Sequence, residues 1–94
     1  MAIAMIHDAP AGSQQRSDQV TEALRRRGVT LPVEGQLLHL AGPYNGGWRV
    51  IDVWESQEAA DRFFRDHLSV AFQETGGIPT GGEPQVFPVH ELYR

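Results

Sequence analysis

Asp52 is the side chain with the clearest capacity for acid–base chemistry in this 94-residue sequence. It lies in the middle of an apolar and aromatic segment, between Ile51 and Val53, with Trp54 two residues further on. A carboxylate in such surroundings must either find a partner or be desolvated, and desolvation is one way in which a strand acid becomes a general base near neutral pH. The pattern leaves two interpretations open: a catalytic base, or a structural carboxylate paired with an arginine or a loop amide.

Two histidines, His39 and His90, are candidate partners of Asp52, because imidazole is the side chain whose ordinary titration falls near neutrality. His39 alternates with Leu38 and Leu40 in one predicted strand, and His90 shares a face of another with Val86 and Leu92, so either ring could face a cavity. One of the three groups would remove a proton, and an imidazole would donate a hydrogen bond to the oxyanion that forms. His67 falls on the apolar side of a predicted helix and is a candidate ligand contact. Each histidine also has a structural alternative, bonded to a backbone carbonyl or exposed to water.

Aromatic side chains are candidates for holding a flat apolar ligand, because they offer a large contact area and offset stacking. Aromatic residues at helix and strand spacings are more often packed in the core, so this role competes with a purely structural one. With His67, the candidate substrate-binding residues are Tyr44, Trp48, Trp54, Phe64 and Phe72.

The composition excludes several kinds of chemistry. The sequence has no cysteine and all eight of its basic residues are arginine, which rules out thiolate ligands, thiol nucleophiles and lysine Schiff bases. No two histidines have the H-x-H or H-x-x-x-H spacing that prearranges a metal site, so we expect neither a metal nor an organic cofactor. The net charge of −4 disfavours nucleic acid as a partner, and no apolar run approaches the length of about 20 residues that spans a membrane. We expect a cytoplasmic protein.

The elements that must position these side chains follow from periodicity and turn signals. Alternating and β-branched stretches predict strands over residues 2–7, 36–41, 46–56 and 84–93. A first helix is predicted over residues 18–27 with Ser17 as its N-cap, and Ser13 is an alternative, earlier start. The glycine-rich residues 76–82 predict a flexible connection. A second helix begins after Ser56 and carries one stripe at helical spacing, composed of Ala60, Phe63, Phe64, His67, Leu68, Ala71 and Phe72.

The order βαββαβ predicts a single α+β domain over residues 1–94. Right-handed crossovers place the strands in a ferredoxin-like antiparallel sheet with both helices on one face. The third strand is largely apolar or aromatic on both of its faces, so the face without helices would expose an apolar patch of the kind that marks an interface. We therefore expect a homodimer in which two sheets pack together into an α+β barrel.

Four segments carry a resemblance to known proteins: PAGS at residues 10–13, GQLLHLAGP at 35–43, GGWRVIDVWES at 46–56 and FPVH at 87–90. They resemble the dimeric α+β barrel proteins of the antibiotic biosynthesis monooxygenase-like superfamily. The resemblance implies the barrel fold and the dimer. The superfamily includes cofactor-independent oxygenases of polycyclic aromatic compounds, lactone isomerases, haem-degrading enzymes, polyketide cyclases and members without known catalysis, so the fold alone does not select an activity.

The sequence supports two functional hypotheses. In the first, the protein is a small cofactor-independent enzyme of the monooxygenase, isomerase or cyclase type, which acts on an aromatic or polyketide-like molecule by proton abstraction. Asp52, His39 and His90 then have the catalytic roles. In the second, it is a non-catalytic dimer that binds a small ligand or assists a larger biosynthetic enzyme. Convergence of the three catalytic candidates on an open, aromatic-lined pocket would favour the enzyme.

Overall fold

The computed structural model describes residues 1–79 and 81–94; Thr80, in the predicted connection 76–82, lies outside them. The elements are β1 (Ile3–Ala9), α1 (Gln14–Arg26), β2 (Gln36–Tyr44), β3 (Gly47–Trp54), α2 (Gln57–Phe63), a π-helical segment (Phe64–Leu68), α3 (Ser69–Glu74) and β4 (Gln85–Pro88). Among these residues, no helix has both the length and the apolar character needed to cross a membrane.

The strands form an antiparallel sheet in the order β2-β3-β1-β4. A two-residue turn joins β2 to β3, with φ 53° at Asn45 and φ 81° at Gly46, the backbone conformation that aligns the strands of a tight hairpin. Each helical crossover passes over one intervening strand: β3 separates β1 from β2, and β1 separates β3 from β4. The predicted ferredoxin-like α+β fold is confirmed.

The first helix starts at the earlier of its two predicted positions. The Ser13 hydroxyl accepts a hydrogen bond from the Arg16 backbone N–H at 3.2 Å, so Ser13 is the N-cap and α1 begins at Gln14. Ser17 lies inside the helix, and the predicted start at residue 18 is wrong. The consequence for function is that the first turn, with Arg16, belongs to the helix and has a fixed direction.

The last strand is much shorter than predicted. β4 ends at Pro88, after which the Val89 N–H donates to the Ala2 carbonyl at 2.9 Å. The Arg94 guanidinium donates to the Leu37 carbonyl in β2 at 3.0 Å. Because β2 and β4 are the two edges of the sheet, residues 89–94 cross the sheet instead of extending its last strand.

The second helical region is interrupted where the sequence predicts one continuous helix. A π turn is closed by the Ser69 N–H, which bonds to the Phe64 carbonyl five residues earlier. Such a turn adds one residue to the α-helical spiral, so the inward-facing row passes from Phe63 to Leu68. Phe64 is left 42% exposed and therefore does not share the inward-facing row with the other phenylalanines of the predicted stripe, Phe63 and Phe72.

The hydrophobic interior is divided into two clusters. One joins α1 to α3, and the other joins α2 to the sheet. Their buried members are Ala23, Leu24 and Ala71 in the first cluster and Trp54, Ala59 and Ala60 in the second. Phe63 packs against both clusters, with its ring centroid 5.6 Å from that of Trp54. This one side chain therefore connects the two parts of the core.

One face of the sheet carries the helices and the other is apolar without them. Trp54 contacts α2, so the alternating residues of β3 such as Ile51 point to the opposite face. Ile6 and Leu40 are the partners of Ile51 on the two neighbouring strands, and they continue this apolar row. Leu40 is 49% exposed and Phe87 is 50% exposed. We refer to this side as the open face.

We predict that Phe63→Ala lowers the free energy of unfolding by about 3 kcal/mol, because the change removes a ring that packs against both clusters. Phe64→Ala is the matched control: it removes the same ring one residue away, at an exposed position, and should cost less than about 1 kcal/mol. Urea unfolding followed by circular dichroism measures both. Equal losses would mean that Phe63 does not connect the two clusters.

Candidate active site

A cavity of about 660 Å³ lies between the helix-facing side of the sheet and the helices. Its floor is formed by residues of the three strands β1, β2 and β3, and its walls by α1, the π-helical segment, α3 and the loop after α3. The polar lining includes His7, Arg16, Gln36, His39, Trp48 and Asp52, and the apolar lining includes Val20, Leu24, Val50, Phe63, Leu68 and Phe72. The cavity therefore combines apolar walls with a small number of polar groups, as small-molecule sites do.

His39 and Asp52 form a hydrogen-bonded pair in this cavity. They face each other across the β2–β3 ladder, and His39 Nδ1 lies 2.6 Å from Asp52 Oδ1. The side chain of Asp52 is 21% exposed and that of His39 is 50% exposed. A carboxylate only accepts, so Nδ1 carries the hydrogen and donates it, which leaves Nε2 of the neutral ring as a free proton acceptor. The pair has the arrangement of a base and the group that orients it.

Gln36 completes this polar group, and a β-bulge places it there. Its Nε2 donates to Asp52 Oδ1 at 3.1 Å, and its Oε1 accepts from the Val33 N–H at 3.2 Å. In a regular strand, residues 36 and 39 would point to opposite faces. A register shift between Gln36 and Leu38 adds one residue to β2, so Gln36 and His39 both face the helices. Sequence reasoning did not find Gln36, because nothing in the sequence marks the bulge.

The pKa of His39 is raised above the ordinary imidazole value. The main cause is the hydrogen bond to Asp52, whose negative charge also favours the imidazolium, while partial burial acts in the opposite direction. The pair with Asp52 therefore favours the imidazolium form of His39, which is the form that a base reaches when it accepts a proton.

Two of the predicted substrate-binding residues line the cavity and four do not. Trp48 and Phe72 are part of its lining with His39 and Asp52. The remaining four occupy other parts of the structure. Trp54 is buried in the core under α2, Phe64 is 42% exposed, Tyr44 lies under the Arg49 guanidinium at 3.8 Å and is 48% exposed, and His67 packs with its ring 6.1 Å from that of Phe63.

His90 does not join the site. It follows the end of β4, its side chain is 94% exposed, and its closest acidic partner is the neighbouring Glu91, at 3.8 Å. The predicted face shared by His90, Val86 and Leu92 assumed a strand through residue 93. Since β4 ends at Pro88, that face is not formed, and only His39 and Asp52 of the three catalytic candidates come together.

Arg16 and His7 are cavity residues that sequence reasoning missed. His7 was assigned to the end of its strand, but β1 continues to Ala9 and His7 lies on the cavity floor. Arg16 lies outside the helix predicted over residues 18–27 and belongs to it only with the alternative start at Ser13. With that start, the helical spacing puts Arg16, Val20 and Leu24 on one face, and all three line the cavity. The choice between the two N-caps therefore decides whether Arg16 can be assigned to the site.

No cluster of three or more histidine, aspartate or glutamate side chains suited to a metal ion occurs within residues 1–79 and 81–94.

The same fold occurs in solved structures. A protein named "putative antibiotic biosynthesis monooxygenase" from Chloroflexus aurantiacus is 14% identical, with a TM-score of 0.70 over 100% of this chain and 98% of the other. A protein of the same name from Deinococcus radiodurans is 14% identical, with a TM-score of 0.59 over 100% of this chain and 97% of the other. A conserved protein from Methanosarcina mazei is also 14% identical, with a TM-score of 0.65 over 94% of this chain and 92% of the other. The resemblance to antibiotic biosynthesis monooxygenase-like proteins is confirmed at the level of the fold.

Comparison of the sequence with protein families and with curated proteins gives no match.

We predict that the hydrogen-bonded pair of His39 and Asp52 makes the free energy of unfolding depend on pH. The pKa of His39 is raised in the folded protein, so its contribution is complete below the unfolded value of about 6.5 and is lost as pH rises through the folded value. The free energy of unfolding, relative to that of Asp52→Asn, should therefore fall as the pH rises above about 6.5. Urea unfolding across this range measures the difference, and NMR titration of the His39 ring gives its pKa directly.

Asp18→Asn is the matched control for this experiment, since Asp18 is an exposed aspartate on α1. It should leave the pKa of His39 and the pH dependence of stability as they are in the unmodified protein. If the pKa of His39 is the same in Asp52→Asn as in the unmodified chain, the pair does not have the assigned role.

Proposed function

We propose that this chain is a small cofactor-independent enzyme that removes a proton from an acidic carbon of an aromatic or polyketide-like molecule. The observation that carries the proposal is the hydrogen-bonded pair of His39 and Asp52 on the floor of a cavity with apolar walls. A general base needs a free acceptor atom, a pKa suited to neutral pH and a neighbouring space for the substrate. In support of this role, His39 borders the cavity and its hydrogen bond to Asp52 raises its pKa.

In the proposed mechanism His39 is the base and Asp52 is a positioning residue. Asp52 accepts the Nδ1–H bond, so the lone pair that receives the proton is on Nε2. As the ring becomes an imidazolium, the carboxylate stabilises its positive charge. Gln36 holds Asp52 through the 3.1 Å hydrogen bond to the same oxygen. Proton abstraction then leaves the electron pair on the substrate, delocalised into its carbonyl or phenol oxygen.

The apolar walls suit a flat, conjugated substrate. Val50 lies on the floor between Trp48 and Asp52, and Leu68 and Phe72 face it from the helical side. A volume of about 660 Å³ is in the range of roughly 300 to 1,000 Å³ in which small-molecule sites fall.

Three reaction types share this first step. The carbanion reacts with dioxygen in an oxygenase, takes a proton at another carbon in an isomerase, or attacks a carbonyl of the same molecule in a cyclase. The names of the structural neighbours from Chloroflexus aurantiacus and Deinococcus radiodurans support the oxygenase among these.

The second candidate is a non-catalytic dimer that binds a small ligand or assists a biosynthetic enzyme. The observation that favours it is the 50% exposure of the His39 side chain, since a base in contact with water is less effective at removing a proton from carbon. In this case the apolar cavity binds the ligand and the pair of His39 and Asp52 only stabilises the β2–β3 ladder.

We predict that the protein accelerates hydrogen–deuterium exchange at the acidic methylene of 1,8-dihydroxyanthrone, a tricyclic probe. The reaction is run anaerobically in D₂O and followed by NMR, so that it reports proton abstraction without oxygenation. His39→Gln keeps an amide that can donate to Asp52 but has no titratable nitrogen, and it should slow the catalysed exchange by about 100-fold. Asp52→Asn should also slow it, with the bound geometry retained.

His67→Gln is the matched control for the exchange experiment, because His67 lies outside the cavity lining, and it should have no effect on the rate. Saturable binding of the probe without faster exchange would contradict the proposed enzyme activity and support the ligand-binding dimer.

We also propose that the protein is a homodimer formed through the open face. Leu40, Ile51 and Ile6 form an apolar row across three strands of this face, and the helices cover only the other side. A second copy placed on the open face would bury these residues and close the two sheets into a barrel. An obligate interface of this kind buries about 2,000 Å² or more.

Leu40→Asp should convert the dimer into a monomer, because it places a charge in the middle of the proposed interface. Ala41→Asp is the matched control: the neighbouring residue is also exposed, on the same strand, and points to the other face. Analytical ultracentrifugation at micromolar concentration measures the mass of each variant. A monomeric unmodified protein, or equal behaviour of the two variants, would contradict the proposed interface.

A further inference from the structure

Two hydrogen-bond donors in the cavity have no partner among the described residues. They are Nε of Arg16, in the first turn of α1, and Nε1 of Trp48, at the start of β3. Both atoms are buried, and both side chains line the cavity. Guanidinium and indole nitrogens only donate, so a group that satisfies them must be an acceptor. A buried donor without an acceptor costs free energy, which a bound acceptor would recover.

Arg16 also lacks a charge partner. No carboxylate of the described residues lies within 4.0 Å of its guanidinium, and the one carboxylate in the lining, Asp52, is bonded to His39 and Gln36. The other known contact of Arg16 is a hydrogen bond from Nη2 to the Gly77 carbonyl, which holds the side chain against the loop after α3. The positive charge of Arg16 is therefore not balanced within the cavity.

Both donors are held in place. The Ser13 cap fixes the first turn of α1 and with it the backbone of Arg16. Trp48 packs under the loop before α1, where a Cβ atom on Gly12 would approach the Trp48 Cβ to 2.7 Å. Glycine at position 12 thus allows the backbone to lie directly on the tryptophan. Donors that are fixed before binding lose little entropy when a ligand arrives.

The Trp48 donor is distant from the proposed base. Trp48 and Asp52 lie on the same face of β3 and are four residues apart, which corresponds to about 13 Å along a strand. Val50 is between them and lines the cavity floor. The Trp48 donor is therefore too far from the pair of His39 and Asp52 to stabilise charge at the atom that loses the proton. The two donors are suited to a second, remote group of the same ligand.

We infer that the cavity binds an aromatic carboxylate, with the carboxylate at Arg16 and Trp48 and the ring system over Val50 toward His39. An anionic acceptor satisfies both donors, balances the charge of Arg16 and forms the stronger, charge-assisted type of hydrogen bond. The inference deepens the proposed function and rests on it only in taking the cavity as a ligand site. The inference places the unreactive end of the ligand at Arg16 and Trp48, and this defines the orientation of the ligand in the cavity.

The experiment compares the binding of 2-naphthoate with that of 2-naphthamide, which has the same shape without the charge, by isothermal titration calorimetry. The unmodified protein should bind 2-naphthoate about tenfold more tightly or better. Arg16→Gln should reduce this preference to less than about twofold. Trp48→Phe, which removes the N–H and keeps an aromatic ring, should weaken 2-naphthoate binding several-fold and leave 2-naphthamide binding nearly the same.

Two controls match these variants. Arg25→Gln changes an exposed arginine on the same helix, and Trp54→Phe changes the tryptophan on the same strand that lies outside the cavity. Both should bind 2-naphthoate as the unmodified protein does. Circular dichroism checks that each variant is folded, and if Arg16→Gln does not fold, Trp48→Phe alone decides the outcome.

Equal affinity for the two probes, a preference for 2-naphthoate that persists in both Arg16→Gln and Trp48→Phe, or failure of both probes to bind at millimolar concentration would overturn the inference. These outcomes are separate from failure of the proposed function. Binding does not require the base. If the protein binds 2-naphthoate through Arg16 and Trp48 but does not accelerate deuterium exchange, the carboxylate site is supported and the proposed enzyme activity is contradicted.

Discussion

The division of the core into two clusters is the constraint on which the rest of the structure depends. α1 packs on α3 through Leu24 and two alanines, and α2 packs on the sheet around Trp54. Within residues 1–79 and 81–94, Phe63 is the side chain that packs against both groups. A chain of 94 residues has little apolar surface to bury, and this one leaves a cavity where a larger protein would place further side chains. The small size of the core is therefore what leaves space for a ligand in this fold.

The polar floor of that cavity is made from residues that would destabilise an ordinary core. Asp52 is tolerated between Ile51 and Val53 because His39 is its cross-strand partner and the bulge in β2 brings Gln36 to the same oxygen. Unpaired, this carboxylate would be costly in such surroundings. Three neighbouring side chains thus satisfy each other at one end of the cavity, whereas Arg16 and Trp48 retain donors that the described residues leave unsatisfied.

The fold could be predicted from the sequence because periodicity and turn residues act locally. The alternation of the strands and the order of elements were enough to place His39 and Asp52 on strands where they could face each other. What could not be predicted depends on single-residue shifts. The bulge in β2, the π turn after Phe63 and the early end of β4 each change which way later side chains point, so Gln36 was missed and His90 misplaced.

The π turn at Phe64–Leu68 has a consequence for how such a cavity changes during evolution. It holds one residue more than a regular helix needs, and each residue of an α-helix turns by about 100°. Loss of one codon in this region would restore a regular helix and rotate α3 by that angle, which would replace Phe72 at the cavity wall with a different side chain. A single insertion or deletion could thus give descendants of this gene a differently shaped pocket while the sheet and its polar pair stay unchanged.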